Sequence, residues 1–340
     1  SISIDMTTSI LSGGAVMKLS PDGSNLYLGS RDDSDLQLLQ VETATGELTL
    51  VDDRLLSFPD NERVTGIYIN QAGNRFYLST RIRTDEPPHF NQGRVRMYER
   101  SLSNGALSLL EEHLFIDPVD GIFSDPAERH FYVIEDSSVI SFEVSRIHVF
   151  DVEQDGGLTG RRLAEGGGPD IRATVPAMTP DGRFFYALSA LEGDPPGSFL
   201  ERIRRDPVTG LLLRDSLDGA VARAHGEDQL IVLDGGRLLL APTSDSPLFR
   251  INAQNGDLTQ LTSPVQEDVR NGAFLTSHDG QFLYLADATS IQVFLVNGGA
   301  LGPVRAVPAV SAWSGLVMYL LLMLVAVWKL RRSGVLQRTL

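Results

Sequence analysis

Hydrophobic and polar residues alternate with a period of two through many short segments, for example Leu36–Val41 and Ile147–Val152. This period places successive side chains on opposite faces of a β-strand, and the aromatic and β-branched residues of these segments favour strands. Up to about residue 307, no amphipathic helical pattern of useful length interrupts the strands. The pattern therefore predicts an all-β fold.

A turn followed by an aromatic strand recurs six times along the chain. Each copy is preceded by a short apolar strand and followed by an alternating strand, a glycine-containing turn and a final strand. The preceding strands include Ala15–Leu19, Gly66–Ile69 and Ala177–Met178. Asp-Gly, Asn-Gly and Gly-Gly pairs supply the positive φ of tight hairpin turns. The copies are anchored at Tyr27, Tyr77, Tyr132, Tyr186, Leu240 and Tyr284, at intervals of 50, 55, 54, 54 and 44 residues.

Such repeats predict a β-propeller with one four-stranded antiparallel blade per copy. A single four-stranded sheet cannot bury both of its faces, so the blades stack, and closing them into a ring removes the exposed ends. Residues 1–12 alternate like one more strand, which would close the ring against the last blade. We therefore predict a six-bladed propeller over residues 1–307; a seventh blade would need sequence before Ser1.

The C-terminal region has a different pattern. Residues 314–328 carry no charge, and with their apolar neighbours they are long enough to span a bilayer. Two tryptophans lie near the ends of the run and three basic residues follow it, which places the C-terminus in the cytoplasm by the positive-inside rule. A buried core helix is the alternative. The residues of the predicted membrane anchor are Trp313, Trp328, Lys329, Arg331 and Arg332.

This pattern predicts three segments in a bacterial inner-membrane protein. Residues 1–307 form the extracytoplasmic propeller, residues 308–330 a single transmembrane helix, and residues 331–340 a basic cytoplasmic tail. An exported N-terminal domain needs a signal peptide, which is absent at Ser1. The sequence would then be a mature form after cleavage, or a truncation.

Composition removes several classes of function. The net charge is −15, and four of the 29 basic residues lie in the last twelve positions, which hold no acid. Residues 1–328 thus carry 25 basic and 44 acidic side chains, a net charge of −19, and such a body repels nucleic acid and anionic lipid. The absence of cysteine excludes disulfides, thiolate metal sites and covalently attached haem.

Two resemblances to known families rest on specific phrases. The Ser-Pro-Asp-Gly turn and aromatic strand of Ser20–Leu28, with Thr179–Ala187 and Ser277–Leu285, resemble the YVTN/lactonase-type propeller family. That family includes sugar-lactone hydrolases and many non-catalytic binding and scaffold proteins. Residues 307–332, with a short proline-containing motif, a tryptophan, an apolar run and a basic end, resemble the IPTL-type C-terminal sorting signals of bacteria. In those proteins a membrane-embedded protease recognises the tail.

A search for catalytic motifs finds no nucleophile elbow, phosphate-binding loop or dinucleotide fingerprint. Resemblance to the lactonases implies a cluster of Glu, Arg and His at the mouth of the central channel. General acid–base catalysis needs such side chains within hydrogen-bond reach of the substrate. The candidates are Arg223, His225, Glu227 and Asp228, which alternatively are solvated loop residues. The histidines show no metal-ligand spacing, and we expect neither a metal nor another cofactor.

The connections between the second and third strands differ among the blades. From the anchor residue to the third strand the distance is 9, 8 and 7 residues in blades one, five and six, but 18, 15 and 14 in blades two, three and four. The extra residues are about 81–93, 135–146 and 190–199. Longer connections in consecutive blades emerge on one face and predict a patch that binds a partner protein; tolerated surface insertions are the alternative. The patch residues are Arg81, Arg83, Pro87, Pro88, Phe90, Val139, Ile140, Phe142, Pro195, Pro196 and Phe199.

Three functional hypotheses follow. The leading one is a non-enzymatic, membrane-anchored propeller that acts as an interaction scaffold, as an accessory or stabilising subunit of a larger membrane complex such as a respiratory or photosynthetic one. Its partners would be a membrane protein complex or another extracytoplasmic protein, and the bilayer through residues 313–330. The second is a periplasmic lactonase-like hydrolase. The third is a surface protein displayed by sorting of its C-terminal tail.

Overall fold

The computed structural model describes fourteen segments of the chain. They divide into two compact units, Ile2–Arg270 and Asn271–Leu340, the second of which includes Ser1. The described residues are 15–30, 34–42, 48–82, 92–135, 146–164, 176–191, 197–214, 223–224, 230–240, 248–261, 273–276, 282–286, 290–297 and 300–308.

The larger unit holds five antiparallel sheets, in each of which consecutive strands are neighbours. Sheets 1 and 2 comprise β1 (Ala15–Leu19), β2 (Asn25–Ser30), β3 (Asp35–Val41) and β4 (Leu48–Ser57), then β5 (Glu62–Ile69), β6 (Arg75–Ile82), β7 (Gln92–Arg100) and β8 (Leu107–Phe115). Sheet 3 comprises β9 (Val119–Ser124), β10 (His130–Glu135), β11 (Arg146–Val152) and β12 (Leu158–Leu163).

Sheet 4 contains one strand more than the others, because β17 pairs with β15 beyond the end of β16. Its strands are β13 (Ala177–Met178), β14 (Phe184–Leu191), β15 (Gly197–Arg205), β16 (Leu212–Arg214) and β17 (Arg223–Ala224). Sheet 5 comprises β18 (Ile231–Leu233), a 3₁₀ turn (Asp234–Gly236), β19 (Leu238–Leu240), β20 (Leu248–Ile251) and β21 (Leu258–Leu261).

The smaller unit holds sheet 6, again four antiparallel strands in sequence order. They are β22 (Ala273–Thr276), β23 (Phe282–Ala286), β24 (Ser290–Asn297) and β25 (Ala300–Pro308). The described residues thus confirm an all-β fold with one four-stranded sheet, or in sheet 4 a five-stranded one, for each predicted repeat.

The core of the larger unit lies between consecutive sheets. Four separate clusters of buried side chains join sheet 1 to sheet 2, sheet 2 to sheet 3, sheet 3 to sheet 4 and sheet 4 to sheet 5. In the cluster between sheets 2 and 3, the rings of Tyr77 and Phe131 pack with their centroids 4.7 Å apart. Each sheet therefore buries both faces only by packing between its neighbours, as expected for a repeat fold.

The turn before the second strand is closed by its own side chains. In the first repeat the Ser20 hydroxyl donates to Asp22 Oδ1 at 2.5 Å, and the same oxygen accepts the Ser24 amide at 3.0 Å. Gly23 has a φ of 72°, a left-handed conformation that costs glycine nothing. Thr179 and Asp181 repeat this arrangement in sheet 4. These bonds explain why the Ser/Thr-Pro-Asp-Gly phrase recurs.

In four of the repeats, the tyrosine of the aromatic phrase fixes one sheet to the next. The hydroxyl of the tyrosine donates to the carbonyl of a glycine in the last turn of the following sheet, over 2.7–2.8 Å. We call this contact the Tyr–Gly bond. Each glycine has a positive φ, and a Cβ at Gly156 would lie 3.0 Å from the Tyr77 hydroxyl. The pairs are Tyr27 with Gly105, Tyr77 with Gly156, Tyr132 with Gly210, and Tyr186 with Gly256.

The structure differs from the predictions in the length of several strands. Residues 190–199 were expected in a long loop, but β14 runs through Leu191 and β15 begins at Gly197, which leaves a connection of five residues. The connections 83–91 and 136–145 have nine and ten residues. In sheet 4 the extra residues between the anchor and the third strand therefore lie mainly in longer strands. Strands β14 and β15 remain paired as far as Leu191 and Gly197.

The predicted membrane segment, residues 308–330, lies outside the described residues except for Pro308, which ends β25. In the segments that the structure describes, there is no helix with the length and apolarity needed to cross a bilayer. The predictions for the tail, including its anchor residues and its sorting signal, and for a closing strand in residues 1–12, stay predictions.

Candidate functional site

The structure describes few of the predicted site residues. Arg223 lies in β17, where its backbone pairs with Phe199 of β15. The other catalytic candidates, His225, Glu227 and Asp228, lie outside the described residues.

Of the predicted partner patch, the structure describes only Arg81 and Phe199. Arg81 and Phe199 were expected in loops, but Arg81 is an exposed residue of β6 that pairs with Gly93, and Phe199 pairs with Ser189 within sheet 4. Antiparallel pairing continues to these positions, so both belong to strands. The remaining patch residues, Arg83, Pro87, Pro88, Phe90, Val139, Ile140, Phe142, Pro195 and Pro196, lie outside the described residues.

A buried charged cluster occupies one end of sheet 2. Glu62, 1% exposed, accepts hydrogen bonds at Oε1 from the Thr80 hydroxyl and the Arg96 guanidinium, both at 2.6 Å. Arg96 also donates from Nε to Glu112 at 2.6 Å. Arg94 lies 3.6 Å from the second oxygen of Glu62. Because an unpaired buried charge is costly, this alternation of acids and bases stabilises the strand ends on which it lies.

Sheet 3 carries a second cluster, centred on Glu135 at the end of β10. Its Oε1 accepts the backbone amides of Ile116 and Asp117 at 3.0 and 3.1 Å, and its Oε2 contacts His148 Nε2 at 2.5 Å. Burial alone raises the pKa of Glu135, but the hydrogen bonds from His148 and Asp117 and the charge of Arg161 outweigh it. The net pKa is below the ordinary value, so Glu135 is ionised at neutral pH.

The Glu135 carboxylate orients the imidazole of His148. A carboxylate only accepts hydrogen bonds, so His148 Nε2 carries the hydrogen and Nδ1 is left as an acceptor. Arg161 Nε lies 3.3 Å from Nδ1 and covers it. The Arg161 guanidinium stacks 4.2 Å from the centroid of the Phe115 ring and donates to the carbonyl of Leu114 at 3.1 Å. Its side chain is 38% exposed, whereas those of Glu135 and His148 are buried.

Both clusters lie at the end of the strands from which the 83–91 and 136–145 connections leave. The third-sheet cluster combines a histidine held by a carboxylate with a cation that is partly exposed to solvent. A base oriented by a third group is the usual arrangement for activating a nucleophile. Arg161 has to move off Nδ1 before His148 can act as a base.

No model of a protein family matches the chain, and no curated protein matches it. Solved structures do. One, from Bacteroides fragilis NCTC 9343 and described as a "putative 6-phosphogluconolactonase", has a TM-score of 0.58 and 17% identity, covering 86% of this chain and 84% of its own. A second with the same description, from Bacteroides uniformis ATCC 8492, has a TM-score of 0.56 and 17% identity over 82% and 79%.

A functionally unknown protein from Desulfotomaculum acetoxidans DSM 771 also matches, with a TM-score of 0.52 and 16% identity over 88% of this chain and 90% of that one. At such identities the likeness shows the fold alone. Together with the sheets described above, it defines the chain as an all-β protein with a β-propeller-like fold, as predicted.

The leading functional prediction, a non-enzymatic membrane scaffold, is wrong. Two of the similar structures above carry the description "putative 6-phosphogluconolactonase", which agrees better with the alternative hypothesis, a lactonase-like hydrolase, than with a scaffold. The prediction gave weight to the lack of a catalytic motif in the sequence. Glu135, His148 and Arg161 form no motif because they lie on three different strands and meet only through the pairing of the sheet.

Sequence reasoning missed this cluster for an identifiable reason. His148 stands in an alternating strand, and without metal-ligand spacing it was not predicted as a site residue. The available signal was Glu135, which directly follows the buried run His130–Ile134 in a strand whose side chains are all buried. A carboxylate in such a strand needs a buried donor, and the facing strand of the same repeat supplies His148.

Proposed function

We propose that the chain is a lactonase-like hydrolase that opens the ring of a sugar lactone. The observation that carries the proposal is the fold likeness to structures described as 6-phosphogluconolactonase candidates. Fold alone does not determine function, so the chemistry has to come from the residues. Support comes from the Glu135–His148–Arg161 cluster and from the turn phrases that resemble the YVTN/lactonase-type family.

In the proposed reaction His148 Nδ1 takes a proton from water as the water oxygen bonds to the lactone carbonyl carbon. The tetrahedral intermediate collapses when the ring carbon–oxygen bond breaks, and His148 returns the proton to the departing ring oxygen. The product is the open-chain hydroxy acid. Glu135 holds the imidazole in the required tautomer through the 2.5 Å contact to Nε2 and stabilises its protonated form.

Arg161 has two roles in this proposal. In the free protein it covers Nδ1 of His148. An anionic group on the substrate, such as a sugar phosphate, would attract the exposed guanidinium by charge-assisted hydrogen bonds and so release Nδ1. This coupling makes catalysis depend on a bound anion and favours phosphorylated lactones over neutral ones.

The test is hydrolysis of 6-phosphogluconolactone and of a panel of neutral sugar lactones, followed by acid release and corrected for spontaneous opening. His148→Gln keeps a hydrogen-bond donor for Glu135 but removes the base, and we expect it to abolish turnover above the blank. Arg161→Gln should raise the KM for the phosphorylated lactone about tenfold, equivalent to about 1.4 kcal/mol, with a smaller effect on neutral lactones.

Two further variants locate the site. His225→Ala and Glu227→Ala remove the candidates that the sequence suggested. Loss of activity in these two, with His148→Gln active, would assign the chemistry to residues 225–228 and away from the third sheet. No turnover by the unmodified protein across the whole panel would refute the hydrolase proposal itself.

A further inference from the structure

The opposite end of the strands, where the turns before the second strands lie, contains a feature that the proposed hydrolase does not use. Consecutive sheets meet there in the same way. The residue at the end of a third strand donates its backbone amide to the residue just before the second strand of the same sheet, and this hydrogen bond identifies the equivalent positions. Arg100 donates from its amide to Asn74, Val152 to Arg129 and Arg205 to Arg183, at 2.8–2.9 Å. Two of these positions hold arginine and the one between sheets 2 and 3 holds valine. The position between sheets 4 and 5 is Ile251, whose amide donates to Arg237 in the same way.

The two arginines fill equivalent spaces. Arg100, fully buried, donates from Nε to the Tyr27 hydroxyl at 2.7 Å, and its other nitrogens donate to the Gly73 carbonyl and to Asn25 Oδ1. Arg205 donates from Nε to the Tyr132 hydroxyl at 2.6 Å, and otherwise to the Gly182 carbonyl and to Asp125. Each guanidinium thus donates hydrogen bonds to a tyrosine hydroxyl oxygen, to a backbone carbonyl in a turn and to a side-chain oxygen.

Between sheets 2 and 3 the same surroundings enclose a cavity of about 290 Å³, lined by Val152 and Tyr77 among others. Tyr77 makes its Tyr–Gly bond as the other tyrosines do. Within the described residues, however, no donor bonds to the Tyr77 hydroxyl oxygen, whereas the hydroxyl oxygens of Tyr27 and Tyr132 each accept an arginine Nε. The cavity is near the lower limit of small-molecule sites in size. It presents the acceptors of a guanidinium site without the chain's own guanidinium.

The charge of the cavity favours a cation. Its lining contains the carboxylates Glu128, Glu153 and Asp155 and one guanidinium, that of Arg75. Arg75 does not occupy the vacant position, because its Nε donates to the Asp155 carbonyl and its terminal nitrogen to the Asn74 carbonyl at 3.1 Å. The net charge of the lining, which also includes Tyr68 and Phe131, is therefore negative.

Glu128 is the unusual member of this lining. It has a φ of 53° at the turn position where the other repeats have Gly23, Gly73 and Gly182. A non-glycine residue in this conformation is uncommon, and such residues concentrate at functional sites. Its carboxylate accepts the Tyr68 hydroxyl at 2.7 Å and the Gln71 amide at 2.6 Å through a single oxygen, Oε1.

We propose that the cavity between sheets 2 and 3 binds a small guanidinium compound, whose cation takes the place that Arg100 and Arg205 fill in the neighbouring interfaces. The guanidinium donates to the Tyr77 hydroxyl oxygen, to the Glu128 carbonyl, which is equivalent to those of Gly73 and Gly182, and to the Glu128 carboxylate. The site is separate from the third-sheet cluster and lies at the other end of the same strands.

The experiment is calorimetric titration of the full chain with L-arginine and ethylguanidinium, with L-citrulline as the control of the same shape and no charge. We expect a dissociation constant of about 1 mM or tighter for the two cations and no binding of citrulline. Equal binding of citrulline, or no binding of either cation at ten times that concentration, would overturn the proposal.

Three variants test the position of the site. Val152→Arg supplies the chain's own guanidinium, and Glu128→Gly restores the glycine of the other repeats without the carboxylate; each should weaken binding at least tenfold. Asp53→Asn removes one negative charge on the exposed face of β4, away from the cavity, and should leave binding unchanged. Unweakened binding in Val152→Arg would contradict the proposal. Lactone turnover should be the same in Val152→Arg as in the unmodified protein, so this proposal and the hydrolase proposal can fail separately.

Discussion

The tyrosines that mark the repeats contribute through their hydroxyl groups as well as through their rings. Tyr132 and Tyr186 both donate to a glycine carbonyl, but only Tyr132 also accepts a hydrogen bond from a buried arginine, Arg205. Burial outweighs the Arg205 charge and raises the pKa of Tyr132 to about 12, so the hydroxyl stays protonated at neutral pH. The two tyrosines are therefore a matched pair that differ by one charged donor.

We predict that Tyr132→Phe lowers the free energy of unfolding by more than Tyr186→Phe. Loss of a neutral hydrogen bond costs about 1 kcal/mol, whereas a buried charged donor left unpaired brings the cost to roughly 2–3 kcal/mol. Urea unfolding of the two variants and the unmodified protein would measure the difference. Equal losses in the two variants would contradict an energetic role for the Arg205 contact.

Glycines of positive φ differ in how tightly they are packed. Gly210 has a φ of 71° and a Cβ there would lie 2.4 Å from the His130 ring, whereas Gly235, with a φ of 61°, has nothing within 4 Å of that position. Gly235→Ala should cost about 1–2 kcal/mol from backbone conformation alone. Gly210→Ala should cost roughly 1–3 kcal/mol more because of overpacking. Thermal or urea unfolding would rank them, and a reversed order would refute this explanation.

His130 makes the stability of the interface between sheets 3 and 4 depend on pH. Burial and the Arg205 charge lower the pKa of His130, and they outweigh the opposite effects of Asp125 and Asp151. The unfolded chain therefore takes up a proton on His130 near pH 6.5 while the folded chain does not, and stability falls as the pH falls below that value. The slope from one proton cannot exceed about 1.4 kcal/mol per pH unit.

The matched variant is His130→Asn, because Asn25 occupies the equivalent position beside Arg100 and accepts its hydrogen bond. We predict that the loss of stability between pH 7.5 and pH 5.5 is smaller in His130→Asn than in the unmodified protein. Glu135, whose pKa is lowered from an ordinary value of 4.5, loses its stabilisation only as the pH falls below that value, outside this range. An unchanged loss in the variant would show that His130 is not the titrating group.

At the scale of strands, the sequence predicted strand bounds best where hydrogen bonds between residues close in the chain determine them. The first strands of sheets 1 and 4, Ala15–Leu19 and Ala177–Met178, were predicted with the bounds that the structure has. Their limits are set by the Ser/Thr-Pro-Asp-Gly turn that follows, whose hydrogen bonds involve residues at most five positions apart. A local signal of this kind can be recognised without knowledge of distant partners.

Strand β5 shows what local signals miss. The apolar pattern predicted a strand over Gly66–Ile69, but β5 begins at Glu62. A carboxylate and an arginine at its start are typical of a loop, yet Glu62 is buried by Arg96, which lies 34 residues further along the chain. The same holds for the candidate site, where His148 was a visible histidine but Glu135 and Arg161 become its partners only through strand pairing.

For the molecule as a whole, the described residues of the larger unit separate two kinds of site along the strands. The charged clusters of Glu62 and Glu135 lie at one end of sheets 2 and 3, and the cavity beside Val152 lies at the other end of the same sheets. Rigid sheets between the two ends hold each arrangement independently. A variant at one end is therefore expected to leave the chemistry at the other end unchanged.

The direction of the Tyr–Gly bonds has a consequence for synthesis on the ribosome. Every donor precedes its acceptor, by 78, 79, 78 and 70 residues in turn. At a synthesis rate of about 5–20 residues per second, each tyrosine waits roughly 4–16 s for its glycine. A newly synthesised sheet therefore lacks its Tyr–Gly bond to the following sheet until most of that following sheet has emerged from the ribosome. Nascent chains would acquire protease resistance in steps of one repeat, each step lagging its own sheet by one repeat.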